Sequence, residues 1–189
     1  MLKHVRPALV LLALFTLLTG LVYPLAMTGI GQAAFSNRAN GSPIVRDGVV
    51  VGSSLIGQQF TRPEYFWGRP SSAGQGYDAR SSSGSNLGPS SQALADRIKV
   101  EAERYGVPAS DIPPDLLTAS GSGLDPHISP AAAQFQLARV ANARGLQEDV
   151  VSSLIDAHVE TPSLGILGED RVNVLELNLA LDELGRAPA

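Results

Sequence analysis

The sequence predicts an α+β protein: one N-terminal transmembrane helix, then a small exported domain with an early β-hairpin and about four helices. Three observations predict it. Residues 7–37 form a run of 31 positions without a charged side chain. Further on, Asp47-Gly48 sits between two short β-branched runs, the strongest local signal for a hairpin. Finally, four later segments carry residues that start and stop helices.

The stretch from Pro7 to Met27 is apolar throughout, and about 20 helical residues cross a ~30 Å hydrocarbon core. Lys3, His4 and Arg6 would also suit the start of a signal peptide. The apolar stretch, however, exceeds the roughly 7–15 residues of such a core, and no clean Ala-x-Ala site follows closely. An uncleaved span over 7–30 is therefore expected. The basic residues precede it, which keeps residues 1–6 in the cytoplasm and places 38–189 outside. Thr16, Thr19 and Gly20 break the aliphatic surface and are candidates for packing on a partner helix, while Pro24 is a kink position. No ionisable group lies within the span, so this helix alone offers no ion path.

Residues 38–43 read as a linker, and Ile44 to Val51 as two strands around the Asp47-Gly48 turn. Tyr65-Phe66-Trp67 is expected in the core. Ser71 to Ser91 is rich in Ser, Gly, Asn and Pro and has no period, so it is either a functional loop or disordered. Ser91 opens a helix to about Tyr105, with Leu94, Ile98, Ala102 and Tyr105 on one face and Gly106 as its stop. Ser129-Pro130 opens the next, ending at Arg144 before Gly145. A third covers Gln147 to His158, with Val150, Val151, Leu154 and Ile155 apolar. Asn173 caps the last, Val174 to Leu184.

The part from residue 38 onward holds 12 basic and 18 acidic side chains, a formal charge of 12 − 18 = −6. A negative domain is a poor match for phosphate backbones, so nucleic acid is excluded as a partner. The chain has no cysteine, which removes disulfides, thiolate metal sites and cysteine nucleophiles. Ser120 to Ser129 is the densest polar loop, and Ser120, Ser122, Asp125 and His127 invite a triad reading. No Gly-x-Ser-x-Gly elbow supports it, no Lys follows as a phosphate loop requires, and His127 with His158 lacks any metal-ligand spacing. The residues thus point to no catalytic group and no metal. They describe a membrane-anchored accessory domain, with an independent exported binding protein or hydrolase as the alternative.

The ordered blocks resemble a known family. Arg6-Pro-Ala-Leu9 before a helix ending Val22-Tyr-Pro-Leu25 is similar to the C subunit of the Kdp potassium-transporting P-type ATPase. So are Gly52-Ser-Ser-Leu-Ile-Gly-Gln-Gln-Phe60, Tyr65-Phe66 leading to Gly68-Arg-Pro-Ser71, and Ser83-Gly-Ser-Asn-Leu87. Thr118 to Asp125, Arg139-Val-Ala-Asn-Ala-Arg144 and Arg171 to Leu181 extend the likeness over nearly the whole chain. The resemblance implies an inner-membrane complex that imports K⁺ at the expense of ATP. A channel-like subunit selects and carries the ion, and a P-type subunit hydrolyses ATP. The C subunit is expected to stabilise the assembly and to act as a catalytic chaperone that raises ATP affinity. No covalently bound cofactor is implied, and ATP is reached through the complex. Gln136 matches the glutamine related to nucleotide in the family, though a helix-surface glutamine is the plainer expectation. Tyr77, Asp78, Asn86, Ser120, Ser122, Asp125 and His127 are candidates for partner contact. An exported domain cannot meet cytoplasmic ATP directly, so any effect on ATP must then be relayed through the membrane.

Overall fold

The computed structural model describes residues 2–185. Met1, at the expected cytoplasmic end, and residues 186–189, at the end of the expected 38–189 domain, lie outside the described residues. The chain forms two compact units, Met1–Val51 and Gly52–Ala189.

The first unit is dominated by a helical run, Val5–Ala39, interrupted near its end at Phe35. At ~1.5 Å per residue it exceeds the ~30 Å of a bilayer core and runs beyond the 7–30 expected. It comprises α1 (Val5–Leu17), a π-helical turn (Leu18–Val22) and α2 (Tyr23–Ala39). The wide turn answers to Pro24, which has no N–H to give and whose ring crowds the carbonyl of Gly20. The Tyr23 N–H accordingly reaches back five residues, to the Leu18 carbonyl. Pro24 therefore widens the helix, and the departure from helical dihedrals falls instead at Phe35 (φ −139°, ψ 40°). Reciprocal amide bonds between Gln32 and Asn40, each 3.2 Å, bridge that break. The linker shrinks to residues 40–42, and β1 (Pro43–Arg46) and β2 (Val49–Ser53) form the hairpin. Asp47 (φ 51°) and Gly48 (φ 78°) are both left-handed, as the tightest two-residue turn requires.

Among the described residues the second unit holds four α-helices: α3 (Gln92–Tyr105), α4 (Pro130–Arg144), α5 (Glu148–Ala157) and α6 (Val174–Leu184). Their boundaries follow from local chemistry. The Ser129 hydroxyl accepts from the Ala132 N–H at 3.0 Å and Gly145 (φ 64°) closes α4. The Asn173 carbonyl oxygen accepts from the N–H groups of Leu175 and Glu176. Ser91 departs from expectation: its backbone is extended, but its hydroxyl makes no cap bond. Val150 is also exposed, leaving Val151 and Ile155 as the buried stripe of α5.

A three-stranded antiparallel sheet, with no signal in the sequence pattern, lies between the helices. β5 (Arg171–Asn173) is central, flanked by β3 (His127–Ile128) and β4 (Val159–Glu160). Val172 pairs with Ile128 on one side and Val159 on the other. Phe66, Leu116, Val140, Ile155, Val172, Leu177 and Leu181 form the centre of the core. The aromatic cluster divides as its burial predicts, with Phe66 and Trp67 inside and Tyr65 at the edge.

Candidate functional site

The two polar loops singled out by composition come together in the second unit. The Ser71 hydroxyl donates to the Gly123 carbonyl (2.6 Å) and accepts from the Tyr77 N–H (2.8 Å). The Ser83 N–H and the Ser82 hydroxyl both donate to the Ser122 carbonyl at 3.0 Å. Gly123 (φ 66°) is the hinge of this contact. A Cβ there would stand 2.6 Å from the Ser83 carbonyl oxygen. The 71–91 loop has no regular secondary structure, yet these bonds tie its first half, 71–83, to the 122–123 turn.

Tyr77 sits in this loop with left-handed backbone (φ 54°), and its phenol donates to the Arg69 carbonyl at 2.6 Å. Its hydroxyl lies against Gly68, and its ring edge with the Asp125 carbonyl lies against Gly57, so neither position has room for a side chain. Burial, helped by the negative charge of Asp125, pushes the phenol up to about 12, so it stays a donor. Asp78 accepts from the backbone and guanidinium of Arg80, and those bonds hold its carboxyl below the ordinary range. Asn86 is exposed and left-handed (φ 53°). Of these three partner-contact candidates, Tyr77 is committed to the fold, while Asp78 and Asn86 face outward.

Asp125 and His127 do meet. His127 Nδ1 is 3.3 Å from Asp125 Oδ1, and His127 Nε2 is 4.0 Å from Glu160 Oε1. Arg69 pairs with Asp125 (3.4 Å) and Arg171 with Glu160 (2.8 Å), which makes a row of two ion pairs with His127 between them. Burial by itself would raise the Asp125 carboxyl. Hydrogen bonds from His127 and the charges of His127 and Arg69 outweigh it and keep the group ionised. The row borders a cleft of about 630 Å3 that also exposes Asp115, Glu169 and Asp170.

The serines do not complete a triad. Ser120 Oγ accepts from the Gly123 N–H and Ser122 Oγ from the Leu124 N–H, so both hydroxyls serve their own turn. His127 has carboxylates near both ring nitrogens, at 3.3 and 4.0 Å. His158 Nδ1 contacts the Leu154 carbonyl of its own helix at 2.8 Å. Among the described residues no group of three or more His, Asp or Glu is placed to hold a metal.

Gln136 is not the helix-surface glutamine expected; only 1% of it is exposed. Its oxygen accepts from the Trp67 N–H (2.8 Å) and from Arg139 (2.6 Å). Its nitrogen donates to the carbonyls of Trp67 (3.0 Å) and Ala132 (3.2 Å). The donor and acceptor capacity of the amide is thus taken up inside the protein. Asn178 of α6 repeats the arrangement one residue earlier, with bonds of 2.8 and 3.0 Å to the N–H and carbonyl of Phe66. Two buried amides therefore stand in for a missing neighbouring strand. Position 136 lies on the stripe Ala132–Gln136–Val140, and that spacing was a readable sign of burial. Below the clamp, the guanidinium groups of Arg104 and Arg139 each lie 3.8 Å over the Trp67 ring. Burial draws the Arg139 guanidinium down to about 10.

In the first unit, Leu9, Leu12, Ala13, Thr16, Leu17, Gly20 and Leu21 line one apolar groove along the helix. Ala13, Thr16 and Gly20 are its small residues. The Thr19 hydroxyl instead turns back onto the Phe15 carbonyl at 2.7 Å, so it is satisfied without a partner.

Fold and site together define a class: a membrane-anchored α+β domain whose polar residues are organised by hydrogen bonding around loops. The family model described as "K+-transporting ATPase, c chain" matches residues 5–183, covering span and domain alike. A protein of Caulobacter vibrioides (strain NA1000 / CB15N), named potassium-transporting ATPase KdpC subunit, is 61% identical over 186 residues. The match covers 96% of this chain and 94% of the relative. One of Rhodopseudomonas palustris (strain BisB5) with the same name is 53% identical over 98% of this chain and 100% of its own. One of Polaromonas naphthalenivorans (strain CJ2), again so named, is 59% identical over 95% and 94%. The chain belongs to the KdpC family, the c chains of K⁺-transporting ATPases.

Proposed function

We propose that this chain is an accessory, non-catalytic subunit of an ATP-driven potassium import complex in the bacterial inner membrane. The match to K⁺-transporting ATPase c chains over residues 5–183 carries the reading. A channel-like subunit that carries K⁺ and a P-type subunit that hydrolyses ATP are its partners. The 5–39 helix is the anchor, with the N-terminus in the cytoplasm and the domain outside, in keeping with Lys3 and Arg6 ahead of the span. The groove bearing Thr16 and Gly20 is the face for a partner helix. The joined loops, with Asp78 and Asn86 outward, are the face the domain turns to its neighbours.

The chain stabilises the assembly and acts as a catalytic chaperone, raising the affinity of the P-type subunit for ATP. It does so without a nucleotide site of its own. The domain stands on the far side of the membrane from ATP, and the Gln136 amide has no capacity left for a ligand. The effect on ATP is passed through packing of the span.

A tag placed after Ala189 tests this in K⁺-starved cells extracted with mild detergent. Two larger membrane proteins should co-purify with K⁺-stimulated ATPase activity, and a complex lacking this chain should show a several-fold higher KM for ATP. The chain emerging alone while the pump is expressed overturns the subunit role. An unchanged KM overturns the chaperone role.

A further inference from the structure

We propose that a cavity in the second unit, walled by the 58–60 and 68–77 segments and by α3, binds a compact oxyanion of phosphate size. The proposal is independent of the assembly role. The cavity measures about 190 Å3 and is lined by Arg97 and Arg104, with Gln59 and Gln75 beside them and Arg69 at its wall, the guanidinium of Arg69 being turned to Thr118, Ala119 and Asp125. That volume lies below the ~300 Å3 at which pockets for larger organic ligands begin, which suits a small tetrahedral anion.

The arginines are already oriented. Arg97 and Arg104 are seven residues apart on α3, so they project from one face two turns apart. Arg97 donates to the Ser72 hydroxyl at 2.8 Å. Arg104 donates to the Phe60 carbonyl at 3.0 Å while lying 3.8 Å over the Trp67 ring. Each guanidinium has five N–H donors, and these contacts leave further donors for the cavity. Side chains fixed in advance lose less freedom when an anion arrives, and the planar fork matches two of its oxygens.

Glu101 is the one carboxylate of the wall, between the two arginines on the same helix face. Its burial raises its carboxyl above the ordinary value even though Arg104 and Arg97 oppose the shift. It occupies the position an incoming anion would compete for. Removing its charge should strengthen binding, whereas removing Arg97 should weaken it. A role confined to folding would not produce opposite signs.

The test titrates the full chain in detergent with inorganic phosphate, by calorimetry and by Trp emission, against sodium chloride at matched ionic strength. Trp67 is the chain's one tryptophan and touches Arg104, so emission reports on this cavity. One-site binding should move Trp67 emission, weaken roughly tenfold in Arg97→Gln and tighten about threefold in Glu101→Gln. No saturable response beyond that of chloride overturns the proposal. So does phosphate binding that leaves Trp67 silent and is the same in both variants. Should Arg97→Gln fail to fold, Glu101→Gln alone decides: tightening supports the site, and unchanged or weaker binding rejects it.

Discussion

Gln136 and Asn178 hold the extended Phe66-Trp67 segment in the way a neighbouring strand would, yet each is a single side chain on a helix. Their value lies in burial: an amide that pairs with a backbone N–H and carbonyl satisfies groups which, left alone in the core, are costly. Gln136→Ala would strand the Trp67 N–H and carbonyl and remove an acceptor of Arg139, whose Nε already lacks a partner. We expect a loss of roughly 3 kcal/mol in denaturant unfolding and a red shift of Trp67 emission. A loss below about 1 kcal/mol would mean that water replaces the amide without penalty. At this scale the sequence was partly legible. The stripe Ala132–Gln136–Val140 has the spacing of a buried face, but the polarity of Gln136 argued for the surface, and its partner, 69 residues away, has no local signature.

Among elements, the helices and the hairpin were the most legible because their boundaries are decided by neighbours in the chain. Ser129 with Pro130, Asn173, Gly106 and Gly145 act within a turn of where they stand. The three-stranded sheet was not legible, since strands of two or three residues are too short to display a period of two. The pairing of the two polar loops was hidden for a different reason: Ser and Gly advertise turns but not what the turns touch. Gly123 is where that pairing is most exposed to test. Gly123→Ala places a Cβ 2.6 Å from the Ser83 carbonyl oxygen and 2.7 Å from the Ala73 nitrogen, at a φ of 66°. It should cost roughly 3 kcal/mol and open the 71–91 loop to limited proteolysis. Gly121→Ala, which meets nothing within 4 Å, should be near neutral. Equal protease resistance in the two variants would show that the loops do not depend on each other.

For the whole molecule, sidedness governs what the domain can reach. Ser90 is exposed, and the native chain has no cysteine to compete with a label. Ser90→Cys should therefore react with a membrane-impermeant maleimide in cells whose outer membrane is permeabilised while the inner membrane stays sealed. Labelling only after the inner membrane is opened would put the domain in the cytoplasm and reopen direct contact with ATP. By itself the sequence determined the span, the hairpin turn and the ends of α4 and α6. A long uncharged run, an Asp-Gly pair and a capping side chain all act over a few residues, and so they can be read where they stand. Only the tertiary structure decided that Asn178 reaches Phe66 across 112 residues, that the loops at 71–91 and 120–129 are joined by hydrogen bonds, and that Arg97 and Arg104 line a cavity with the 58–60 and 68–77 segments. Those juxtapositions depend on how the core packs, and the free energy that selects them is spread over the buried Leu, Val, Ile and Phe side chains. No local stretch of the chain contains it.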